Sequence, residues 1–198
     1  MCSETRPNAK PETVTCKFIQ NTALMIIIEE FTEKDFKNLI TWIDSKEELM
    51  QFAGPQLKFP LTNEQLQETL TNKNVFAFKI VENSKNSPIG HAEIFIKDNS
   101  FALARILIGD KKMRGKGLGK IIVDKLLEFG FNNFDKNTAE LNVFDWNVSA
   151  IKCYEKVGFE VNPNLKFERK INDETWIAIN MRIDKNKWQE IKNKKTCR

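Results

Sequence analysis

The sequence predicts an α/β domain with a mixed central sheet of six or seven strands, mostly antiparallel, flanked by about four helices. Three consecutive apolar, β-rich runs at residues 75–81, 89–97 and 101–108 are separated only by turn-forming segments, which favours antiparallel neighbours. Four other segments place apolar residues at helical spacing. Because 41% of the 198 residues are hydrophobic, the chain can build one core, and we expect a single domain.

The first elements are a strand and two helices. The β-branched run "LMIIIEE" from Leu24 predicts the strand. Thr32, three residues before Asp35, begins the first helix. Thr62 and Gln65 have the capping-box spacing, so a second helix is predicted to continue to about residue 71.

The later elements follow the three-strand run. The same periodicity arguments predict a helix over 118–129, a strand over 139–144, a helix over 148–157 and strands over 159–161 and 176–183. Gly158 follows the second of these helices at a typical C-cap position.

We divide the chain into three parts on composition. Residues 1–24 carry scattered prolines and polar residues, which predicts a flexible N-terminal extension. Residues 25–184 form the domain, and 185–198 are a basic C-terminal tail whose lysines are interpreted as solvated charges.

Composition argues against several classes of protein. The net charge of +4 is spread among 27 acidic residues, unlike the concentrated basic surface of a nucleic-acid binder. The apolar runs are too short to span a bilayer, and the first 20 residues lack a signal-peptide core, so we expect no membrane partner and a cytoplasmic protein. With one histidine and no paired cysteine spacing, we expect no metal site.

The segment "MRGKGLGKIIVDKLLEFGF", from Met113, places three glycines between a strand and an amphipathic helix. Such a turn exposes backbone N–H groups at a helix N-terminus and attracts phosphate. The spacing of Gly115, Gly117 and Gly119 matches neither the P-loop nor the dinucleotide fingerprint. The pattern R-x-x-G-x-G, with Arg114 at its start, remains.

This pattern resembles the coenzyme A pyrophosphate loop of the GNAT superfamily of N-acetyltransferases. The segment "LNVFDWNVSAIKCYEKVGFE" resembles the second signature of that family. Together they imply the GNAT fold over residues 25–184 and acetyl-CoA as cosubstrate. The region "LMQFAGPQLKFPLTNEQL" further resembles bacterial members close to the ribosomal-protein-acetylating branch.

The resemblance implies a set of cofactor-binding residues. Strands four and five of the fold part, so the pantetheine arm would pair with one strand edge, and loop amides would hold the pyrophosphate. An asparagine at the start of the next helix would contact the arm. The residues at these positions are Ile106, Leu107, Ile108, Arg114, Gly115, Lys116, Gly117, Leu118, Gly119, Lys120 and Asn147.

Acetyl transfer to an amine also needs a proton for the departing thiolate and a route for the amine proton. Tyr154 occupies the general-acid place of the family. Cys153 beside it is interpreted as a small buried residue and not as a nucleophile.

The general base is less determined by the sequence. Relatives that acetylate protein N-termini often carry Glu where this chain has Asn142, which does not accept a proton usefully at neutral pH. Glu93 is the predicted substitute, because a partly buried carboxylate can have a raised pKa. His91, on the same strand, is more typical of a structural hydrogen-bonding residue. The alternatives are a water chain, Asp145, Glu29 and Glu30.

One face of the strand before Asn147 carries Asn142, Phe144 and Trp146. These side chains line an acceptor pocket or fill the core; the core is favoured for Phe144, and both places stay open for Trp146.

We therefore expect an N-acetyltransferase that works by direct transfer in a ternary complex. The acceptor is an amine of a small molecule or a protein, at an N-terminus or a lysine, and the enzyme is a monomer or homodimer. A non-catalytic acyl-CoA-binding regulatory module is the alternative that Asn142 favours. A nucleic-acid-binding role for the lysines around Arg114 lacks the aromatic platforms that such sites use.

Overall fold

The computed structural model describes residues 26–82 and 87–196. Within them, seven strands form one sheet in the order β1-β2-β3-β4-β5-β7-β6. The strands are β1 (Ile26–Glu30), β2 (Val75–Glu82), β3 (Ser87–Ile96), β4 (Phe101–Ile108), β5 (Thr138–Phe144), β6 (Glu160–Ile171) and β7 (Glu174–Asp184). The helices are α1 (Phe36–Thr41), α2 (Lys46–Ala53), α3 (Asn63–Thr71), α4 (Leu118–Asn133), α5 (Val148–Val157) and α6 (Lys185–Thr196).

The predicted α/β fold with a mixed, mostly antiparallel sheet is confirmed. Every neighbouring pair of strands is antiparallel except β4 and β5. These two run parallel and pair only at Phe101–Ala139 and Ala102–Glu140. Beyond those pairs β4 and β5 part, which opens the sheet at its centre.

The sheet has an apolar cluster on each face. One cluster packs α4 against the sheet through buried residues such as Leu126, Leu127 and Phe101. A Cβ on Gly130 of α4 would lie 2.4 Å from the Phe101 ring, so glycine allows the helix to approach the sheet closely. The other cluster packs α1, α2 and α3 on the opposite face, with Leu39 and Leu66 at its centre.

The predicted helix starts are present with local capping. Thr32 N–H donates to Asp35 Oδ2 at 2.9 Å, although a 3-10 turn over Glu33–Asp35 precedes α1. Thr62 Oγ1 accepts from Gln65 N–H before α3. The Gln65 side chain, however, bonds the backbone of Lys58 and Pro60 and does not complete a capping box.

Three elements differ from the sequence expectation. Helix α2 was not predicted, although Ser45 caps it by accepting from Glu48 N–H at 3.1 Å. Strand β6 runs far beyond residue 161, because its polar sequence is paired by β7 across an irregularity between Asn162 and Lys166. The extension expected over residues 1–24 lies outside the described residues.

The third difference is at the C-terminus. Residues 185–196, interpreted from sequence as a solvated basic tail, form α6. Trp188 of this helix is 4% exposed and belongs to the α4-side cluster, with its ring 5.4 Å from Phe131. The buried Trp188, with Ile191 beside Gly158 and the Lys185 hydrogen bond to the Phe131 carbonyl, attaches this mostly polar helix to the core.

Candidate active site

A cleft opens where β4 and β5 part. Its walls are the second half of β4, the loop before α4, the end of β5 and the start of α5, and residues of α2 and α3 also line it. The described residues provide no strand partner for β4 toward β5 beyond Ala102. Backbone groups of Ile106, Leu107 and Ile108 thus border an open edge inside the cleft.

The glycine loop forms the mouth of this cleft. Gly115 and Gly117 have φ values of +75° and +77°, in the left-handed region that favours glycine. Gly117 is the N-cap of α4, so the first amides of that helix have no carbonyl partner within it. Arg114 Nε donates to the Ile108 carbonyl at 2.8 Å, which ties the loop to the end of β4.

The structure brings most of the predicted cofactor-binding residues together. All of them line the cleft except Lys116, whose Nζ lies 3.7 Å from Met113 Sδ. Asn147 is the N-cap of α5, and its Oδ1 accepts from Ala150 N–H at 3.2 Å. Its amide nitrogen remains available at the cleft wall. Gly119 faces Cys153, with Sγ 3.1 Å from where a Cβ would lie, so α4 and α5 pack closely behind the loop.

Tyr154 lines the same cleft from α5. The side chain is half-buried and contacts the edge of the Phe159 ring, with centroids 6.1 Å apart. Burial, with a smaller effect of the neighbouring Cys153, raises the pKa of the phenol above its usual value. Tyr154 therefore keeps its proton at neutral pH. Burial also raises the pKa of the Cys153 thiol, which disfavours a nucleophilic thiolate.

Glu93 lines the cleft from β3, but its surroundings do not give it the raised pKa that the sequence suggested. It is 4% exposed, and its Oε1 accepts from His91 Nε2 and from Arg105 Nη1, each at 3.0 Å. Burial alone raises the pKa of Glu93, but the His91 hydrogen bond and the Arg105 charge outweigh it, so the pKa lies below its usual value. The expected raised pKa is wrong, because the sequence could not show these two partners.

Arg105 is a cleft residue that sequence reasoning missed. Its φ of 49° occurs where the β3–β4 register shifts. Besides Glu93, the guanidinium donates to Thr69 Oγ1 at 3.2 Å and to Gln56 Oε1 at 3.1 Å. One side chain thus joins α3 and the turn after α2 to the sheet. A charged residue inside the apolar run "FALARILI" was the available signal.

The other candidate bases lie elsewhere. Asp145, Glu29 and Glu30 do not line the cleft, and Glu29 is 3.5 Å from Lys79. Phe144 is buried and lines the cleft, while Trp146 is 46% exposed and stacks on Phe144 with ring centroids 5.7 Å apart. Trp146 neither lines the cleft nor is buried, so it has neither of the two places expected from the sequence.

Asparagines form a hydrogen-bonded ladder across three strands, which sequence reasoning also missed. Asn142 of β5 faces Asn180 of β7, which in turn faces Asn162 of β6. Asn180 is 1% exposed and also bonds Glu140. Burial raises the pKa of Glu140, but the hydrogen bond and charge of Lys97, with hydrogen bonds from Asn180 and Ser100, together outweigh it and lower that pKa.

An α/β sheet opened between two parallel strands, with a phosphate-attracting turn at the mouth of the opening, is a site for an extended, phosphate-bearing ligand. A family model described as acetyltransferase (GNAT) domain matches residues 25–160. The chain therefore belongs to the GNAT acetyltransferases, enzymes that use acetyl-CoA as cosubstrate, as the sequence predicted.

Curated relatives and solved structures agree with this membership. The chain is 25% identical over 157 residues to aminoglycoside N(6')-acetyltransferase type 1 of Klebsiella pneumoniae, covering 72% of this chain and 77% of the relative. It is 33% identical over 58 residues to spermine/spermidine N(1)-acetyltransferase of Bacillus subtilis, covering 29% of this chain and 38% of the relative.

Among solved structures, spermidine N-acetyltransferase of Vibrio cholerae, in complex with CoA and spermine, superposes with a TM-score of 0.70 at 19% identity. The match covers 83% of this chain and 98% of that one. At this identity the likeness describes the fold.

Proposed function

We propose that this protein transfers an acetyl group from acetyl-CoA to a primary amine of a small molecule or protein, directly, within a ternary complex. The observation that most directly supports this proposal is that the glycine loop, the unpaired edge of β4 and the Tyr154 side chain all line one cleft. Its other wall, from α2 and α3, leaves a separate side for the amine.

The cleft fits the donor. Amides at the start of α4 would hold the pyrophosphate, since Gly115 and Gly117 leave open space where a Cβ would lie. The edge formed by Ile106, Leu107 and Ile108 would pair with the pantetheine arm as an added strand does, and the Asn147 amide would donate to it. Acetyl-CoA supplies the activated acetyl thioester.

The protonated Tyr154 hydroxyl is the proposed general acid for the departing thiolate. Glu93, with its lowered pKa, stays ionised near neutral pH and is a weak base. Its proposed catalytic part is to accept a hydrogen bond from the acceptor amine or from a water that removes the amine proton.

Relatives named for aminoglycosides and polyamines support an amine acceptor. A protein N-terminus or lysine as acceptor stays a prediction, as do the ribosomal-protein-acetylating branch, a cytoplasmic location and a monomeric or dimeric state. Among the described helices, none is long and apolar enough to cross a membrane.

The test starts with calorimetry of acetyl-CoA binding, followed by thiol release against spermidine, an aminoglycoside and short peptides. Direct transfer predicts intersecting double-reciprocal lines when both substrates are varied, whereas an acyl-enzyme would produce parallel lines. Absence of acetyl-CoA binding would refute the proposal.

Two observations favour the second candidate, a non-catalytic acyl-CoA-binding regulatory module. Glu93 is engaged by Arg105, and Asn142 stands where relatives often carry Glu. That candidate predicts tight acetyl-CoA binding with no thiol release above the buffer rate for any amine in the panel.

A further inference from the structure

We propose that Asn142 determines acceptor choice by presenting only hydrogen-bond donors to the cleft, so that the preferred acceptor is an amine with a nearby carbonyl oxygen, not a polyamine. The inference rests on the proposed acetyl transfer to an amine. It follows from the asparagine ladder, defined by Asn142, Asn180 and Asn162, and from Glu140 beside it.

Glu140 sets the direction of every hydrogen bond in the ladder. An ionised carboxylate has acceptors and no donor. The lowered pKa of Glu140 keeps it ionised, and its Oε1 already accepts from Lys97 Nζ at 2.6 Å and Ser100 Oγ at 3.1 Å. The group 3.1 Å from its Oε2 must therefore be the amide nitrogen of Asn180 and not its oxygen.

The orientation of the Asn180 amide in turn fixes the orientation of the amide groups of Asn142 and Asn162. The Asn180 amide nitrogen also donates to Asn142 Oδ1 at 3.1 Å and lies 3.4 Å from the Leu141 carbonyl. Asn180 Oδ1 accepts from Asn162 Nδ2 at 3.2 Å. Rotating the Asn142 amide by half a turn would place two donors against each other, so its oxygen is held toward Asn180.

The free end of Asn142 is consequently its NH₂ group. Asn142 is exposed and lines the cleft, and of the described residues none pairs with its Nδ2. Because Leu141 and Val143 point into the α4-side cluster, Asn142 lies on the opposite face of the sheet, where α1, α2 and α3 pack. That side of the cleft is the one proposed for the amine.

The Asn142 NH₂ group can only donate hydrogen bonds. It therefore favours a substrate amine with a carbonyl oxygen nearby and disfavours one with a second ammonium group. The two carboxylates on the sheet strands around Asn142 do not compensate, because each is matched by a cation. Arg105 lies 3.0 Å from Glu93 and Lys97 lies 2.6 Å from Glu140. Glu48 and Glu68 line the cleft from α2 and α3 and are not part of this sheet set. A carbonyl oxygen beside the amine, as in an amino-acid amide or a peptide N-terminus, is the acceptor chemistry that fits.

The test compares alaninamide with 1,2-diaminopropane, which replaces the carbonyl oxygen by two hydrogens, and adds an alanyl tripeptide amide to separate small amides from peptides. The ratio of kcat/KM between the first two acceptors is measured for each variant, so that intrinsic amine reactivity cancels. Asn142→Asp keeps an oxygen for Asn180 but removes the donors. We expect the ratio to shift at least about 10-fold toward the diamine, mainly through KM.

Two further variants serve as a control and as an independent test of the ladder. Asn132→Asp makes the same change at an exposed position of α4 outside the cleft and should leave the ratio unchanged. Glu140→Gln lets the ladder invert, so it should weaken the preference through KM while kcat is retained. Acceptor binding to the CoA-loaded protein, by calorimetry, follows the same order without turnover.

The outcomes separate the two proposals. Loss of acetyl-CoA binding or of thiol release with every amine in wild type overturns the proposed function. Normal turnover with a ratio that Asn142→Asp does not change, or a wild-type preference for the diamine, overturns only the role of Asn142.

Discussion

At the scale of single residues, the pKa values of two titratable groups in one cleft are shifted in opposite directions from their usual values. Burial raises the pKa of Tyr154, and two cationic or donor partners lower that of Glu93. A phenol that keeps its proton and a carboxylate that has lost its own suit different tasks. The environment reinforces the protonation states that the two residue types already have at neutral pH.

We expect Tyr154→Phe to lower kcat by about 10²–10⁴-fold, the range typical of a lost general acid. The ring packing against Phe159 is retained in this variant, so the fold and acetyl-CoA affinity should be unchanged. Steady-state thiol release gives the first quantity and calorimetry the second. Wild-type kcat in the variant would exclude Tyr154 as the acid.

Replacing the buried carboxylate should change how stability depends on pH. Because the folded pKa of Glu93 lies below the unfolded reference of 4.5, its contribution is present above that pH and is lost as pH falls through the folded pKa. We expect Glu93→Gln to lower the free energy of unfolding at pH 7 by about 3–5 kcal/mol, since Arg105 loses its buried partner.

Urea unfolding at several pH values measures this effect. The wild-type protein should lose more stability than Glu93→Gln on acidification below about pH 4.5. The exposed Glu68, changed to Gln, is the control and should differ little from wild type. Parallel pH profiles for wild type and Glu93→Gln would contradict the buried pairing.

At the scale of elements, the two ends of the site depend on how helices begin and attach. Helix α4 begins at Gly117, whose left-handed backbone favours glycine, and α6 is anchored by the buried Trp188 side chain together with polar contacts such as Lys192–Glu128. The first feature serves ligand binding and the second serves stability, so they are separable by mutation.

Gly117→Val should weaken acetyl-CoA binding by at least about 10-fold while the protein stays folded. Nothing lies within 4 Å of the added Cβ, so the effect comes from the φ of +77°, which a β-branched residue avoids at a cost of about 1–3 kcal/mol. Gly117→Asn is the matched control, because Asn tolerates this region better. Equal affinities for both variants would contradict the proposed loop.

Trp188→Ala should destabilise the protein by about 3–5 kcal/mol, as expected for removing a large buried aromatic side chain. The matched change Trp146→Ala, at a residue that is 46% exposed, should cost clearly less. Thermal unfolding of both variants compares the two losses. Similar melting temperatures would show that α6 is not attached as described.

At the scale of the whole molecule, the cleft lies where the central sheet is divided. Strands β4 and β5 are paired with each other at one end only, so within the described residues the backbone groups that face the gap at the other end have no strand partner. An acetyl-CoA molecule whose pantetheine arm pairs with this edge would complete the sheet and connect its two halves.

We therefore expect saturating acetyl-CoA to raise the melting temperature. At about 100 times Kd the linkage contributes about 2.7 kcal/mol, which corresponds to roughly 5–11 °C at 2–4 °C per kcal/mol for a chain of this size. Differential scanning calorimetry measures the shift, and Gly117→Val should show much less of it. An equal shift in that variant would place binding elsewhere.

The features that sequence analysis predicted well are local in the chain. The helix over residues 148–157 and its Gly158 end agree with α5, and the three consecutive strands agree with β2, β3 and β4. Periodicity and turn chemistry act over a few residues, so they are visible without the fold. The basic sequence of α6 hid its one buried residue, Trp188.

The sequence by itself determined the fold class, the family and the glycine loop, because hydrophobic period and the need for left-handed backbone at Gly115 and Gly117 are properties of short segments. Only the tertiary structure decided the electrostatics of the site. Glu93 meets Arg105 twelve positions away, and Asn142 meets Asn180 thirty-eight positions away. Such pairs form through strand register, and register depends on the packing of the whole sheet.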